Sequence, residues 1–290
     1  MPSYDVTIIH RIYPKVSREP AVFCENKYEL ARFCVNSLRQ ALGSLRAKVI
    51  VLFDNCPREY ETLFTDRFDR QDLEFIHVGG IGNLATFGRQ IDVLLRQTYS
   101  EVVYFSEDDY FYLPNAFGEM IDLLKRENVD FVSPYDHLDY YTIALHRHRV
   151  QVQATPQRHW KTANSTCLTF MTTKAVLRAT RRVFESYTRG NQDSSLWLSL
   201  TKEHLRNPRK MAVSALRWLA REGSLSDLVV LIAWRYCWLQ ILFGRTYRLW
   251  TPMPTLAIHL EKHFLPPTAV CVEQMYRVAE QQRCSVGVNP

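Results

Sequence analysis

Over the first 140 residues, short runs of β-branched and aromatic residues alternate with stretches that carry apolar residues at helical spacing, and few folds accommodate that alternation. Residues 5–10 (DVTIIH), 47–53 (AKVIVLF), 73–78 (LEFIHV) and 101–106 (EVVYFS) read as strands, each nearly continuous in apolar side chains. A strand with one wetted face alternates; a strand covered on both faces does not. Between the first two, Leu30, Phe33, Cys34, Leu38, Leu42 and Leu45 recur with helical period, and Leu84, Ile91, Leu94 and Leu95 do so before the fourth. Pro114 opens a further helix bearing Phe117, Met120, Ile121 and Leu124, which Asn128 closes before the strand-like Phe131-Val132. Strand and helix taken in turn predict an α/β fold: a mostly parallel sheet with helices on both faces and right-handed crossovers.

Ligands in such sheets sit at the carboxyl ends of the strands, so the residues that follow each strand carry the functional signal. They are His10-Arg11, Asp54-Asn55, Gly79-Gly80-Ile81-Gly82-Asn83 and Glu107-Asp108-Asp109. The glycine run lacks the Lys and the spacing of a P-loop, and it follows the third strand where a dinucleotide fingerprint follows the first. It leads into a helix whose N-terminal amides would suit an anion. Three consecutive carboxylates at a strand end are costly unless a cation or hydrogen bonds compensate them. They are either a solvated acidic turn or an oxygen-ligand site for Mg or Mn carrying a pyrophosphate.

Composition bounds the rest. The 290 residues are 47% hydrophobic and 23% charged, which is ordinary globular usage and excludes a disordered tail. The net charge of +6 hides a split. Residues 1–140 hold 15 basic and 22 acidic side chains, a net of −7; residues 141–250 hold 18 and 5, a net of +13; residues 251–290 hold 3 and 3. An acidic half suits a cation and a basic half an anion. The seven cysteines (24, 34, 56, 167, 237, 271 and 284) are odd in number and contain no C-x-x-C pair, which speaks against a disulfide framework or a zinc ribbon and for a reducing compartment. With a strand-like run beginning at Val6 and no secretory pattern ahead of it, a cytoplasmic location is expected. Asn164-Ser165-Thr166 has the form of a glycosylation acceptor, without consequence in a cytoplasm.

From Gly82 to Pro114 the chain resembles the GT-A glycosyltransferases, especially the family 2-like group, in which an acidic D-x-D-type motif after a hydrophobic strand binds metal and nucleotide sugar before the chain continues through x-x-P into a helix. The resemblance covers residues 4–200 in outline and becomes specific at Glu107–Pro114. It implies a Rossmann-like GT-A sheet with a helical C-terminal addition. Residues 1–113 would form a nucleotide-sugar-binding half, 114–205 an acceptor-binding half, 206–250 a basic and apolar helical segment, and 251–290 a closing segment. It also implies a metal-dependent inverting transfer from a nucleotide-sugar donor, UDP- or GDP-linked, to a glycan or lipid-linked acceptor, with Mn or Mg as cofactor.

Carried over residue by residue, Asp109 is the metal ligand, Asp108 touches ribose or donor sugar, and Asp54 contacts base or ribose. His10 and Arg11 line the nucleotide pocket with Asn83, and Arg89 meets sugar or phosphates. Glu107 counts among the donor-binding residues, its particular role left open because the motif here reads E-D-D. Asp193, at the mouth of a helix, is the candidate general base, with an ordinary helix-start Asp as the alternative. His259 is the candidate second metal ligand from the C-terminal segment, with His263 as the competing choice and a structural His as the alternative. Tyr135-Asp136-His137 would hold the donor sugar or form a turn, and Trp160 with Ser165 and Thr166 would offer a sugar a stacking face and hydroxyls or belong to the core.

In residues 206–222, Lys210, Ser214, Arg217 and Arg221 form one helical stripe, and residues 228–243 are apolar but for Arg235 and Gln240. Sixteen residues with a mid-run Arg fall short of a membrane span. Two readings stay open: a buried hairpin, or an amphipathic pair on an anionic membrane surface such as the inner face of the cytoplasmic membrane. Basic clusters at His146–Arg149 and at Arg178, Arg181 and Arg182 come without any nucleic-acid-binding signature, so no nucleic acid partner is expected. A sugar-phosphate nucleotidyltransferase is the enzymatic alternative, but it calls for a Gly-rich loop after the first strand, where His10–Pro14 stands. A non-catalytic membrane-surface scaffold with the same fold is the other.

Overall fold

The computed structural model describes residues 4–16, 19–22, 26–205, 212–213, 216–218, 220 and 222–286. Lys210, Ser214 and Arg221 of the basic stripe, and Cys24, lie outside the described residues. The four strands read from the sequence are present as β1 (Val6–Ile12), β2 (Ala47–Asp54), β3 (Leu73–Val78) and β4 (Val102–Ser106). They are followed by β5 (Tyr110–Tyr112), β6 (Phe131–Val132), β7 (Val152–Ala154), β8 (His159–Ala163), β9 (Phe170–Thr173), β10 (Leu249–Met253) and β11 (Ala257–His259). The longer helices are α1 (Lys27–Leu42), α2 (Gly82–Arg96), α3 (Ala116–Leu124), α4 (Lys174–Glu185), α5 (Asp193–Thr201), α6 (Leu225–Phe243) and α7 (Ala269–Val286).

Among the described residues nine strands form one sheet in the order β3-β2-β1-β4-β9-β6-β10-β8-β7. The neighbours β3, β2, β1 and β4 run parallel, as do β6 and β10, while β9 and β8 run against the rest. Every residue of β2 is buried, as is all of β1 except Arg11, because helices cover both faces. On one face Val35, Leu38, Phe117 and Met120 of α1 and α3 pack on Val49, Val51 and Tyr104. On the other, Phe87, Ile91, Phe184 and Trp197 of α2, α4 and α5 pack on Ile9, Phe105 and Phe170. The strand order reverses between β1 and β4, so a crevice opens beyond their carboxyl ends, where the crossover helices diverge to opposite faces.

The helices start where local chemistry allows. Asn26 accepts the Glu29 amide at 3.0 Å to open α1, and Gly43 ends it with φ +56°. The helix expected from Pro114 begins two residues later, because Asn115 adopts a left-handed conformation (φ +62°). The run after residue 206 does not stay apart from the sheet. Beyond α6 the chain returns as β10, wedged between β6 and β8, and then as β11, which pairs with β5 in a separate two-stranded ribbon.

A candidate active site at the carboxyl ends of β1 and β4

Immediately after β4 come Glu107, Asp108 and Asp109, and the chain then enters β5. Antiparallel pairing sets Tyr110 opposite His259 and Phe111 opposite Ile258. The Leu260 amide donates to the Asp109 carbonyl at 2.8 Å. This ribbon carries His259 across 150 residues of chain to Asp109, with Nε2 3.2 Å from Oδ2. The imidazole stacks on Tyr110 with centroids 4.9 Å apart, which fixes its plane.

The three carboxylates meet different partners. Glu107 is paired with the Arg11 guanidinium and accepts from the Thr169 hydroxyl at 2.8 Å. Asp108 takes the Lys27 ammonium at 2.9 Å on Oδ1 and the Tyr13 amide at 2.9 Å on Oδ2. Asp109 has His259 on Oδ2, while its Oδ1 is buried with no hydrogen-bond partner among the described residues. Each carboxylate thus has its own cation, which offsets the cost of setting three like charges at one strand end.

Protonation follows from burial and these pairings. Burial pushes the Asp109 carboxyl up, but His259, Lys27 and Arg11 outweigh it and hold it at about 2. Burial works against the charged form of His259, and Asp109 overcomes it, raising the imidazole above its ordinary value. Burial raises Asp108, with Lys27 opposing. Lys27 itself is held above the ordinary lysine value because Asp108 and Asp109 outweigh its own desolvation.

A cavity of about 460 Å³ lies over this edge, and Arg11, Asn83, Glu107, Asp109, Asp193 and His259 all line it. Arg11 also bonds the Asn83 side chain, and the Asn83 amide donates to the Tyr187 hydroxyl at 3.1 Å, which ties the start of α2 to the segment before α5. Asp193 is the first residue of α5, where Gln192 and Ser195 form a reciprocal cap. Burial and the nearby Glu107 push its carboxyl up to about 6, against its own backbone amide and Arg11. A carboxylate with a pKa near working pH is suited to accept a proton. The lining also includes His137, Tyr140, Ser165 and Thr166, a mixture of rings and hydroxyls of the kind that holds sugars.

The residues present fit a divalent cation in one manner only. Among the described residues no three His, Cys, Asp or Glu side chains converge to hold a metal by themselves. Asp109 has an unused buried oxygen, and His259 would offer a ring nitrogen only on giving up the proton that Asp109 stabilises; Mn and Mg accept such donors when phosphate oxygens and water complete the shell. Asp108 does not belong to that set, because it faces Lys27 and is absent from the cavity wall.

Several residues expected at the site are elsewhere. Asp54 is buried and spends both oxygens on the amides of Ile81 (2.8 Å) and Gly82 (2.9 Å). The anion for which the α2 N-terminus looked suited is therefore this chain's own carboxylate, and Asp54 is not among the residues that line the cavity. Gly82 makes the turn possible at φ +81°. His10 is beneath the cavity floor, its Nδ1 2.9 Å from the Ser106 hydroxyl, and burial with Lys27 nearby drops it to about 3, so it stays neutral. Arg89 is exposed and lines a different cleft between α2 and β3 with Glu74 and Asp92. Trp160 is fully buried in the core, and Asp136 is paired with Lys161 at 2.9 Å behind the wall. His263 is exposed and outside the cavity lining.

Sequence reasoning missed Lys27, Thr169 and Tyr187. Lys27 had a faint signal: a cation at the first position of a helix opposes the helix dipole and calls for a partner, which proves to be Asp108. Thr169 and Tyr187 reach the site from distant segments and had none.

No protein-family profile and no curated protein matches the chain. Solved structures similar to it include the galactosyltransferase LgtC in complex with donor and acceptor sugar analogues (10% identity over 78% of this chain and 69% of that one, TM-score 0.34). Others are the mannosyltransferase PcManGT from Pyrobaculum calidifontis in complex with GDP-Man and Mn2+ (12%, 80% and 69%, 0.42) and a CMP:2-keto-3-deoxy-manno-octonic acid synthetase complexed with CTP (11%, 75% and 98%, 0.41). At such identities and scores they accompany the α/β architecture, while the chemistry rests on the cavity.

Proposed function

We propose that the chain is a metal-dependent glycosyltransferase that moves a sugar from a nucleotide-sugar donor to an acceptor hydroxyl with inversion. One observation carries this reading. A single cavity at the switch point between β1 and β4 holds an aspartate with an unused buried oxygen, a histidine beside it, and a separate carboxylate with a pKa of about 6.

Asp109 and His259 would hold the cation together with the donor diphosphate. A bound Mg or Mn supplies neutralisation of the charge that develops on the departing nucleotide diphosphate. Arg11 stands at the same edge, kept in place by Glu107 and Asn83, and presents fixed positive charge toward the diphosphate. Asp193, largely ionised at neutral pH, takes the proton of the acceptor hydroxyl as its oxygen bonds to the anomeric carbon. The bond from that carbon to the diphosphate oxygen breaks with its electron pair leaving on the nucleotide. One displacement with the base opposite the leaving group inverts the anomeric centre.

The test is a thermal-shift series with UDP, GDP, CMP and dTDP, each with and without Mn, followed by donor hydrolysis and determination of the product anomer by NMR. Stabilisation by a nucleoside diphosphate that depends on metal is expected. No stabilisation by any of them, or release of pyrophosphate from a nucleoside triphosphate with a sugar phosphate, would overturn the proposal, the latter in favour of a nucleotidyltransferase.

A further inference from the structure

We infer that α6 docks the protein on an anionic lipid bilayer, lying flat on its surface. The observations behind it are independent of the reading of the cavity. Over this 19-residue helix a stretch of mean hydropathy 1.4 is only 33% buried, and its exposed residues are Leu225 at the start and Arg235, Trp238, Leu239, Leu242 and Phe243 toward the end. Its inward stripe is Val229, Val230, Ala233, Cys237 and Ile241, packed on α5 through the core around Leu196 and Leu200. Its outward stripe is Trp238, Leu239, Leu242 and Phe243, at three- and four-residue spacing beyond a break in helical geometry at Cys237 (φ −127°), with Arg235 exposed just before that break. Leu225 at the start is 74% exposed, Trp238 49% and Phe243 at the end 77%. A solvated helix shows charges there.

The neighbouring chain continues the pattern. Val213, Leu216 and Trp218 are helical and exposed, and Trp218 packs near Gly223, just ahead of the α6 cap formed by Ser224 and Asp227. Exposed apolar surface on α6 therefore stands at Leu225 and again from Trp238 to Phe243, while residues 226–234 between them are buried or half-buried. Four large apolar side chains exposed together at one helix end exceed the scattered apolar side chains that a soluble surface carries.

Charge selects the occupant. Among the described residues Arg189, Arg217 and Arg235 are exposed in and beside these segments, Arg245 is exposed but paired with Asp130, and between residues 212 and 245 the exposed acid is Glu222. Arg189 is held there by its carbonyl, which accepts from the Tyr236 hydroxyl at 2.8 Å. Apolar rings flanked by arginines match a layer of acyl chains beneath anionic headgroups. Crossing the bilayer is excluded by packing, since the inward stripe stays on the domain from Asp227 to Ile241. As to the two readings left by the sequence, the buried stripe of α6 belongs to the core, and its exposed end is the part we take to face lipid.

Co-sedimentation of the full chain with vesicles of phosphatidylcholine containing about 30% phosphatidylglycerol, against pure phosphatidylcholine, tests the inference. Binding to the anionic vesicles, weakened by raising salt toward about 0.5 M, is expected. The Trp238→Glu, Leu242→Glu, Phe243→Glu triple variant should lose partitioning by more than roughly tenfold. Its circular dichroism and melting temperature should be unchanged, because the three side chains are exposed. Arg217→Glu with Arg235→Glu should abolish the preference for anionic over neutral vesicles, and this pair with the salt dependence carries the test if the triple variant misfolds. Absence of vesicle binding, equal binding by the variants, or a wild-type dimer that the triple variant dissolves without any vesicle binding would overturn it.

Discussion

Replacing Asp193 with Asn should stabilise the protein while removing transfer, and the two effects have one cause. The carboxyl of Asp193 ionises at about 6 in the folded chain against an ordinary value of 3.8. Below 3.8 both folded and unfolded states bind the proton and the group contributes nothing. Between 3.8 and 6 the unfolded chain releases it while the folded chain retains it, so stability falls as pH rises. Above 6 both are ionised and the penalty is constant. Two units correspond to about 3 kcal/mol, an upper figure because solvent reaches part of the side chain.

Asn carries no charge to desolvate and keeps the size of the side chain. Asp193→Asn should therefore unfold at a temperature several degrees higher than wild type at pH 8, and at the same temperature near pH 4, when followed by circular dichroism. Single-turnover transfer by wild type should rise with pH through an apparent pKa near 6 and level off, because the base acts ionised. The variant should be slower by roughly a hundredfold or more and flat with pH. A variant less stable than wild type at pH 8, or one that transfers sugar at the wild-type rate, would refute the reasoning: the first denies the buried charge, the second denies the base.

Asp109→Asn withdraws the charge that keeps His259 above its ordinary pKa, so an NMR titration should show the imidazole losing its proton at lower pH, and Mn-dependent stabilisation by nucleoside diphosphates should vanish. Lys27→Met leaves Asp108 without its cation on a side chain only 14% exposed, and urea unfolding should register a loss on the order of 3 kcal/mol. Asp54→Ala removes both acceptors at the start of α2 and should cost about 1–2 kcal/mol. It should leave nucleotide affinity unchanged by calorimetry; a large loss of affinity would return Asp54 to the donor site.

How far the site was legible depended on whether each residue's partner was near in sequence. Glu107, Asp108 and Asp109 were found because an acidic run after an apolar strand is a local pattern in a place where charge is costly. Asp54 was singled out by the same rule, but nothing in its own segment says that the Gly80–Gly82 turn folds back onto it and takes both its oxygens as hydrogen-bond acceptors. Arg89 failed for a related reason: helical spacing places it on α2 but does not tell which way that face turns, and it turns toward β3. Asp193 and His259 were singled out by rarity and position, and only packing brought them to one cavity.

What the sequence determined by itself was the α/β class, the first four strands and the strand end where the carboxylates cluster. Burial on both faces writes itself into the inner parallel strands β1 and β2 as nearly continuous apolar runs, and the helical period does the same for α1 and α2, whereas the edge strand β3 reads like β1 and β2 but is mostly half-buried. Only the tertiary structure decided which of three adjacent carboxylates keeps a free oxygen. That depends on Arg11 from β1, Lys27 from α1 and His259 from β11, each brought in by pairing or packing across many residues. Burial is a property of a residue and can be read from its neighbours in sequence. Charge pairing belongs to two residues at once, and it is set by register and packing between segments that local periodicity does not encode.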